Sequence, residues 1–263
     1  MRGARIFAIA VSIFLTAPLL IIIPMSFGTS ASFRFPPTEY GILYYRRFFS
    51  DPNWTEPLIN SLVIGAATLV LTLILATPAA FSLMRYRYRG RQIFNFALMS
   101  PIIVPPIVMA LSYYIYFGYL GLVQSYLGVI IAHTCLSIPI ATLILAAAIK
   151  GLNPNMERAA MGLGAPPLTA FRLVTLPLLR PAFLVAGLFS FIHSFDEPVI
   201  ALFISGRDAA TLPRQMFNSF RMQADPTISA ASSILLYAVA IAVLVPLVVG
   251  TVHRKQLSRQ RRP

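Results

Sequence analysis

The chain has 263 residues, of which 57% are hydrophobic and only 11% are charged, and its formal net charge is +13. A soluble domain of this length does not require its apolar residues in long uncharged runs, so the composition favours an integral membrane protein. The basic residues border those runs and do not form one groove or stripe, which argues against nucleic-acid binding.

Long uncharged stretches predict the membrane spans. Most of them exceed the roughly 20 residues that a helix needs to cross a bilayer. The stretches are 6–33, 57–84, 92–149, 181–195 and 226–252. The third is about 87 Å long as a single helix, so it must fold back, and Gly118–Gly121 is a natural turn. We expect an all-α membrane protein with spans near 6–27, 58–84, 94–117, 126–149, 181–204 and 228–252.

The fifth predicted span contains two acids. Residues 181–195 are too few to cross alone, and extending them to 204 includes Asp196 and Glu197. Without this crossing, the basic tail after 252 would lie on the opposite side from the other basic loops. Charge therefore supports six spans and not five.

The distribution of Lys and Arg predicts the orientation. Fifteen of the 21 lie on one side, next to the N-terminus, between spans two and three, in 150–180 and in the C-terminal tail. This side is expected to be cytoplasmic, because cytoplasmic loops are enriched in Lys and Arg. Both termini and the loop 150–180 are then cytoplasmic. The first apolar run is too long for a signal peptide, so it is interpreted as an uncleaved span.

The loop 150–180 is predicted to contain a short helix over 152–163. Asn153 is a good N-cap, Pro154 suits the first helical position, and Glu157 lies near the positive end of the helix dipole. Gly162 or Gly164 can end the helix. One face carries an apolar stripe, formed by Leu152, Met156, Ala159, Ala160 and Leu163. Periodicity alone leaves two interpretations open, a docking helix or an amphipathic hairpin on the membrane surface.

The same loop resembles a family signature. Glu157-Arg-Ala-Ala-Met-Gly-Leu-Gly-Ala165, followed by Phe171-Arg-Leu-Val-Thr-Leu-Pro177, resembles the EAA signature of permease subunits from binding-protein-dependent ABC importers, which have the MetI-like type I fold. The alanines, the glycine and the Leu-Pro pair have the family spacing. One position departs from it, since Arg158 stands where the family has glutamate. Which of Glu157 and Arg158 contacts a partner is left open.

This resemblance implies that the loop is a coupling helix docked in the cleft of a cytoplasmic ATPase. The residues to which the resemblance assigns this coupling are Met156, Glu157, Arg158, Ala159, Ala160, Gly164, Ala165, Leu176 and Pro177. It further implies a bacterial inner-membrane permease that pairs with a second permease chain and an extracytoplasmic substrate-binding protein. The sequence contains no phosphate-loop motif, so we expect no enzymatic activity and no cofactor in this chain.

The sequence Ser194-Phe195-Asp196-Glu197 is the second candidate site, because paired carboxylates inside a span are costly unless they face a cavity or a partner. They line a path for a cationic substrate, or they hold the bundle together by ion pairing. On a helix they point about 100° apart, so only one can face a given point. This run and the later Thr211-Leu-Pro213 resemble polyamine- and opine-type permeases, which implies putrescine or spermidine as substrate.

Two other classes of protein are alternatives to a permease subunit of an ABC importer. An ion-coupled transporter or channel would use Asp196 or Glu197 as its ion ligand, but the 150–180 signature argues against it. A bundle that only scaffolds partners would not need these acids. His133, Cys135 and His193 lack metal-ligand spacing, so no metal site is expected.

Overall fold

The computed structural model describes residues 2–30, 35–222 and 225–241, and within these ranges it is helical and contains no β-strand. Its helices are α1 (Arg2–Ser26), α2 (Leu43–Ser50), α3 (Pro52–Arg85), α4 (Arg91–Ile103), α5 (Pro106–Leu120), α6 (Tyr126–Gly151), α7 (Pro154–Gly162), α8 (Pro167–Ala170), α9 (Leu176–Phe195), α10 (Val199–Ile204), α11 (Leu212–Met222) and α12 (Thr227–Ile241). A π-helical turn, Phe171–Thr175, joins α8 to α9.

Four helices of the described chain are long and apolar enough to cross a membrane. They are Arg5–Ser26, Pro52–Arg85, Tyr126–Gly151 and Pro167–Phe195. The predictions of apolar helices near 6–27, 58–84 and 126–149 are confirmed. Of the sixth predicted span, 228–252, only the part in α12 falls within the described residues, and 242–252 lies outside them.

The third predicted span, 94–117, is broken near its middle. It is divided into α4 and α5, which meet at 105°. Val104 is extended at the break (φ −79°, ψ 130°), and Pro105 and Pro106 follow it. A residue before proline avoids the helical conformation, and proline has no N–H to donate to the preceding turn. The Pro105-Pro106 pair therefore explains the break, and α4 and α5 together are apolar enough for one broken span.

The fifth predicted span, 181–204, is wrong as one continuous helix. The helical run begins at Pro167, inside the predicted loop 150–180, and ends at Phe195. Arg172 and Arg180 were interpreted as lying outside the span, but long basic side chains at a helix end can extend towards water. Asp196 and Glu197 lie in a break before the short helix α10, so they are not inside a helix.

The chain divides into two compact units, Met1–Thr55 with Met216–Pro263, and Glu56–Gln215. In the first, Tyr45 Oη bonds Ser26 Oγ (2.8 Å) and Ser233 Oγ (2.7 Å). In the second, small residues of α6 and α9 allow these helices to pack closely. Its two apolar clusters are centred on Ile64, Ala110, Phe117, Val129, Ala132 and Ile200, and on Ala76, Ala80, Ala141, Leu145, Leu179 and Ala186. Both candidate sites belong to this second unit.

Candidate functional site

Helix α7 is built by local signals on both sides. Asn153 Oδ1 accepts a hydrogen bond from the Asn155 N–H (3.0 Å), which caps the N-terminus, and Pro154 is the first helical residue. Beyond the C-terminus Gly164 has φ +91°, where L side chains are strained. The Ala165 N–H then donates to the Ala160 carbonyl (3.1 Å), which closes the last turn. The predicted short helix is thus confirmed, with bounds Pro154–Gly162.

Glu157 joins α7 to two other parts of the second unit. Its Oε2 accepts hydrogen bonds from Arg85 Nη1, at the C-terminal end of α3 (3.1 Å), and from Thr175 Oγ1, in the π-helical turn (3.0 Å). Thr175 is buried. The carboxylate therefore receives two donors from segments that are 72 and 18 residues away in sequence.

Aromatic rings reinforce this junction. The Arg85 guanidinium lies 5.9 Å from the centroid of the Phe81 ring, a cation–π distance. Phe81 in turn packs edge-on against Phe171, with ring centroids 5.6 Å apart. Phe171 opens the π-helical turn, and such turns occur frequently at functional sites. A displacement of α7 would therefore act on the end of α3 and the start of α9 together.

The face of α7 opposite Glu157 is not packed against other residues of the described chain. Met156 is 50% exposed and Leu163 is 91% exposed, and Ala159 and Arg158 are exposed as well. Ala160 and Ala165 are only partly accessible. Leu176 and Pro177, which complete the sequence signature, are half-buried at the start of α9. The signature thus contains an outward apolar surface and an inward junction.

The acid-bearing break lies at the other end of α9, about 30 Å from its start. Asp196 is exposed, whereas Glu197 is partly buried and its Oε1 accepts a hydrogen bond from the Ile200 N–H (2.9 Å). This bond caps the start of α10, because a helix leaves its first N–H groups without internal partners. The two acids therefore differ in their surroundings. Because neither lies in a helix, the separation of about 100° expected for neighbouring helical residues does not apply to them.

Ser194 is buried among the helices and does not face an open surface. Its Oγ lies 2.8 Å from His133 Nδ1 and donates a hydrogen bond to Thr68 Oγ1 (3.3 Å), which links α9 to α6 and α3. Phe195 stacks on Phe191, with ring centroids 5.8 Å apart. Of the four predicted path residues, Asp196 is therefore the one with an exposed side chain.

A hydrogen-bond network near this break was not recognised as a site from the sequence. Asn60 Nδ2 donates to the backbone carbonyls of Asp208 (2.9 Å) and Ala210 (3.0 Å), and Tyr126 Oη donates to Asn60 Oδ1. Ser61 Oγ accepts from the Leu212 N–H (2.8 Å). These bonds hold segment 205–212 against the first turns of α3 and α6. The partners of Asn60 and Ser61 lie about 150 residues away, and no local pattern indicates them.

Metal ligands are absent from both sites within the described residues. No group of three or more His, Cys, Asp or Glu side chains there is arranged to hold a metal ion. His133 is buried and forms a hydrogen bond with Ser194. Cys135 is a partly buried free thiol. The described parts of the two sites together offer hydrogen-bonding groups, the exposed carboxylate of Asp196 and the apolar surface of α7.

Several known transport proteins are similar to this chain. The family model for the binding-protein-dependent transport system inner membrane component matches residues 71–262. The putrescine transport system permease protein PotI of Escherichia coli (strain K12) is 32% identical over 235 residues, covering 87% of this chain and 83% of its own. The spermidine/putrescine transport system permease protein PotC of Haemophilus influenzae is 29% identical over 245 residues, covering 92% and 94%.

Solved structures have the same fold. A chain of a bacterial ABC transporter involved in the import of the acidic polysaccharide alginate superimposes with a TM-score of 0.71 at 19% identity, covering 95% of this chain and 98% of that one. A bacterial alginate ABC transporter in complex with a pentasaccharide-bound periplasmic protein gives 0.68 at 15% identity, covering 92% and 91%. At these identities the likeness concerns the fold.

Proposed function

Because the chain belongs to the family of binding-protein-dependent transport system inner membrane components, and is a permease subunit of an ABC importer, we propose that it imports a polyamine and that α7 couples import to ATP hydrolysis on a separate subunit. The observation that carries the coupling role is the double contact of Glu157 with Arg85 and Thr175. The observation that carries the substrate is the exposed Asp196 in a chain related to putrescine permeases.

The proposed topology has six spans in one permease domain, residues 1–263, with both termini and α7 on the cytoplasmic side of a bacterial inner membrane. Arg85, Lys150 and Arg180 lie at one end of α3, α6 and α9, and Asn60, Tyr126 and Asp196 lie at the other. The excess of Lys and Arg on the first side supports a cytoplasmic assignment. In α1, none of the residues in the most apolar stretch is buried by protein, which supports contact with lipid or a neighbouring subunit.

The proposed partners are cytoplasmic ATPase subunits, a second permease chain and an extracytoplasmic substrate-binding protein. The outward face of α7, with Met156 and Leu163 exposed, suits a helix-in-groove contact with an ATPase. Closure of the ATPase would then displace α7 and, through Glu157, the ends of α3 and α9. In segment 205–212, on the opposite side of the proposed membrane, the exposed Arg207 and Asp208 are available to a binding protein.

For the substrate, Asp196 is the proposed ligand of an ammonium group. A carboxylate with an exposed face can bind a primary ammonium by a charge-assisted hydrogen bond. Glu197 is proposed to have a structural role, because its carboxylate caps α10. The two adjacent acids therefore form a matched pair for experiment.

The test measures uptake of radiolabelled putrescine into proteoliposomes that contain the complete transporter. Asp196→Asn is expected to raise the KM for putrescine about tenfold, because one charge-assisted contact is lost. Glu197→Gln, which keeps an oxygen for the cap, should leave KM within about twofold. Equal KM values for the two variants and the unaltered protein would contradict the role of Asp196.

The same vesicles distinguish the competing mechanism. Uptake by an ABC importer requires ATP hydrolysis and stops when the ATPase subunit is inactivated. Uptake that continues without hydrolysis and follows an ion gradient would overturn the coupling proposal in favour of an ion-coupled transporter.

A further inference from the structure

The two charged residues of α7 point in different directions. Glu157 retains 20% of its side-chain accessibility, and its carboxylate binds Arg85 and Thr175. Arg158 is exposed, and its Nη1 lies 3.4 Å from Asn155 Oδ1, one turn earlier, which is a long hydrogen bond. Adjacent residues of a helix differ by about 100°, so the inward position of Glu157 turns Arg158 outwards.

Arg158 takes part in no ion pair within the described part of the chain. The ion pairs there are Arg85 with Glu157 and Arg47 with Asp225. Its planar guanidinium can donate two parallel hydrogen bonds to a carboxylate. It is thus a cation on the outward face without an acid of its own.

The surroundings of Arg158 favour a protein partner over lipid. Ala159 and Leu163 are exposed on the face of α7 opposite Glu157, with the exposed Met156 on one flank of this face and Arg158 on the other. Helices that bind anionic membrane surfaces have a polar face rich in Lys and Arg. Arg158 is the single basic residue of α7, and its neighbouring acid is already paired. One cation beside flexible apolar side chains is the pattern of a helix inserted into a groove.

We propose that Arg158 is the charged contact of α7 and that one wall of the ATPase groove carries a carboxylate opposite it, while the floor and the other wall form an apolar recess for Leu163 and Met156. This inference rests on the proposed docking of α7 to an ATPase and specifies its chemistry. In this chain Glu157, one residue before the glutamate position of the signature, serves the internal junction, and Arg158, at that position, serves the partner. The charge order across the interface is thus a cation on the permease and an anion on the ATPase.

The test measures the dissociation constant of the ATPase from the permease pair in nanodiscs of phosphatidylcholine alone. Arg158→Glu is expected to weaken binding at least about 30-fold, because it places like charges together in a desolvated contact. Arg158→Lys should weaken it less, since it keeps the charge and loses the fork. Arg89→Glu, an equal charge change at an exposed loop position next to α4, should stay within about twofold.

A second arm identifies the opposing group. Each Asp and Glu of the ATPase groove is changed in turn to Arg and combined with Arg158→Glu. Restored binding in one pair supports the proposal, and failure of every pair to restore it contradicts the proposal.

Ala159→Trp separates this inference from the proposed function. Ala159 is exposed on the docking face, so the bulky ring should release the ATPase without disturbing the fold of the permease. If Ala159→Trp releases the ATPase and Arg158→Glu does not, docking stands and the charge proposal is wrong. If neither variant weakens binding, both proposals are wrong. If Arg158→Glu weakens ATPase binding only in nanodiscs that also contain anionic lipid, and not in phosphatidylcholine alone, the contact is with the membrane and the proposal is overturned.

Discussion

The two ends of the unit Glu56–Gln215 are held together by different kinds of bond. At the α7 end, one carboxylate, Glu157, receives an arginine and a threonine from distant segments. At the other end, Asn60 and Ser61 fix segment 205–212 through uncharged hydrogen bonds, two of them from Asn60 to backbone carbonyls. Several backbone bonds hold a loop in one position, whereas one side-chain junction lets a helix transmit a displacement. The contrast suits a permease with a fixed outer rim, formed by segment 205–212, and an inner end that is displaced with α7.

The strongest test of this contrast is Glu157→Ala. It leaves Arg85 and the buried Thr175 without their acceptor, and it removes the link from α7 to α3 and the π-helical turn. Substrate-stimulated ATP hydrolysis and putrescine uptake are expected to fall about 10- to 100-fold, the range of a typical coupling free energy. Both rates are measured in proteoliposomes.

Its control is Glu56→Ala, which removes an exposed acid from α3 and should leave both rates near their original values. The ATPase should still co-purify with Glu157→Ala, because Glu157 does not lie on the docking face. Retained uptake in Glu157→Ala would show that the junction does not transmit the displacement.

A smaller effect on uptake is expected from Asn60→Ala. It leaves the carbonyls of Asp208 and Ala210 and the Tyr126 hydroxyl without a partner, which should destabilise segment 205–212 by about 2–4 kcal/mol. Hydrogen exchange of the backbone amides in this segment should accelerate, while ATPase binding stays unchanged. The comparison variant is Asn53→Ala, whose side chain bonds only locally to Asp51. Unaltered exchange in Asn60→Ala would remove the basis for a fixed outer rim.

The smallest effect is expected at Gly164. Its φ of +91° strains any L residue, although no atom lies within 4 Å of a Cβ there. Gly164→Val should therefore cost about 1–3 kcal/mol at the end of α7 and lower coupled ATP hydrolysis several-fold. Gly164→Asn, which tolerates positive φ better, should lower it less. Equal losses in the two variants would indicate that partner contact, and not backbone strain, fixes the glycine.

The sequence predicted the parts of the fold that depend on local signals. Run length predicted α1, α3 and α6, and the Asn153-Pro154 cap with Gly164 predicted α7. Arg180 indicated where span five begins but not where its helix begins, since the helical run already starts at Pro167. Pro198 disfavours helix at Glu197 and so is a local signal for the break after Phe195, whereas span length alone predicts an unbroken helix.

The junctions could not be predicted, because their partners are distant in sequence. Glu157 meets Arg85 across 72 residues, and Asn60 meets Ala210 across 150. For Asp196 and Glu197 the sequence predicted positions about 100° apart on one continuous helix, with different surroundings. Their difference arises from the cap on α10, which exists only because the helix is broken.

The π-helical turn at Phe171–Thr175 also affects how relatives should be compared with this chain. A π turn contains one residue more than an α turn, and one residue rotates a helix by about 100°. A relative with a regular helix here would either have one residue fewer between Pro167 and Leu176 or present different faces of its later turns to its neighbours. A sequence alignment without a gap across this turn would then align α9 with residues of the relative that face in different directions.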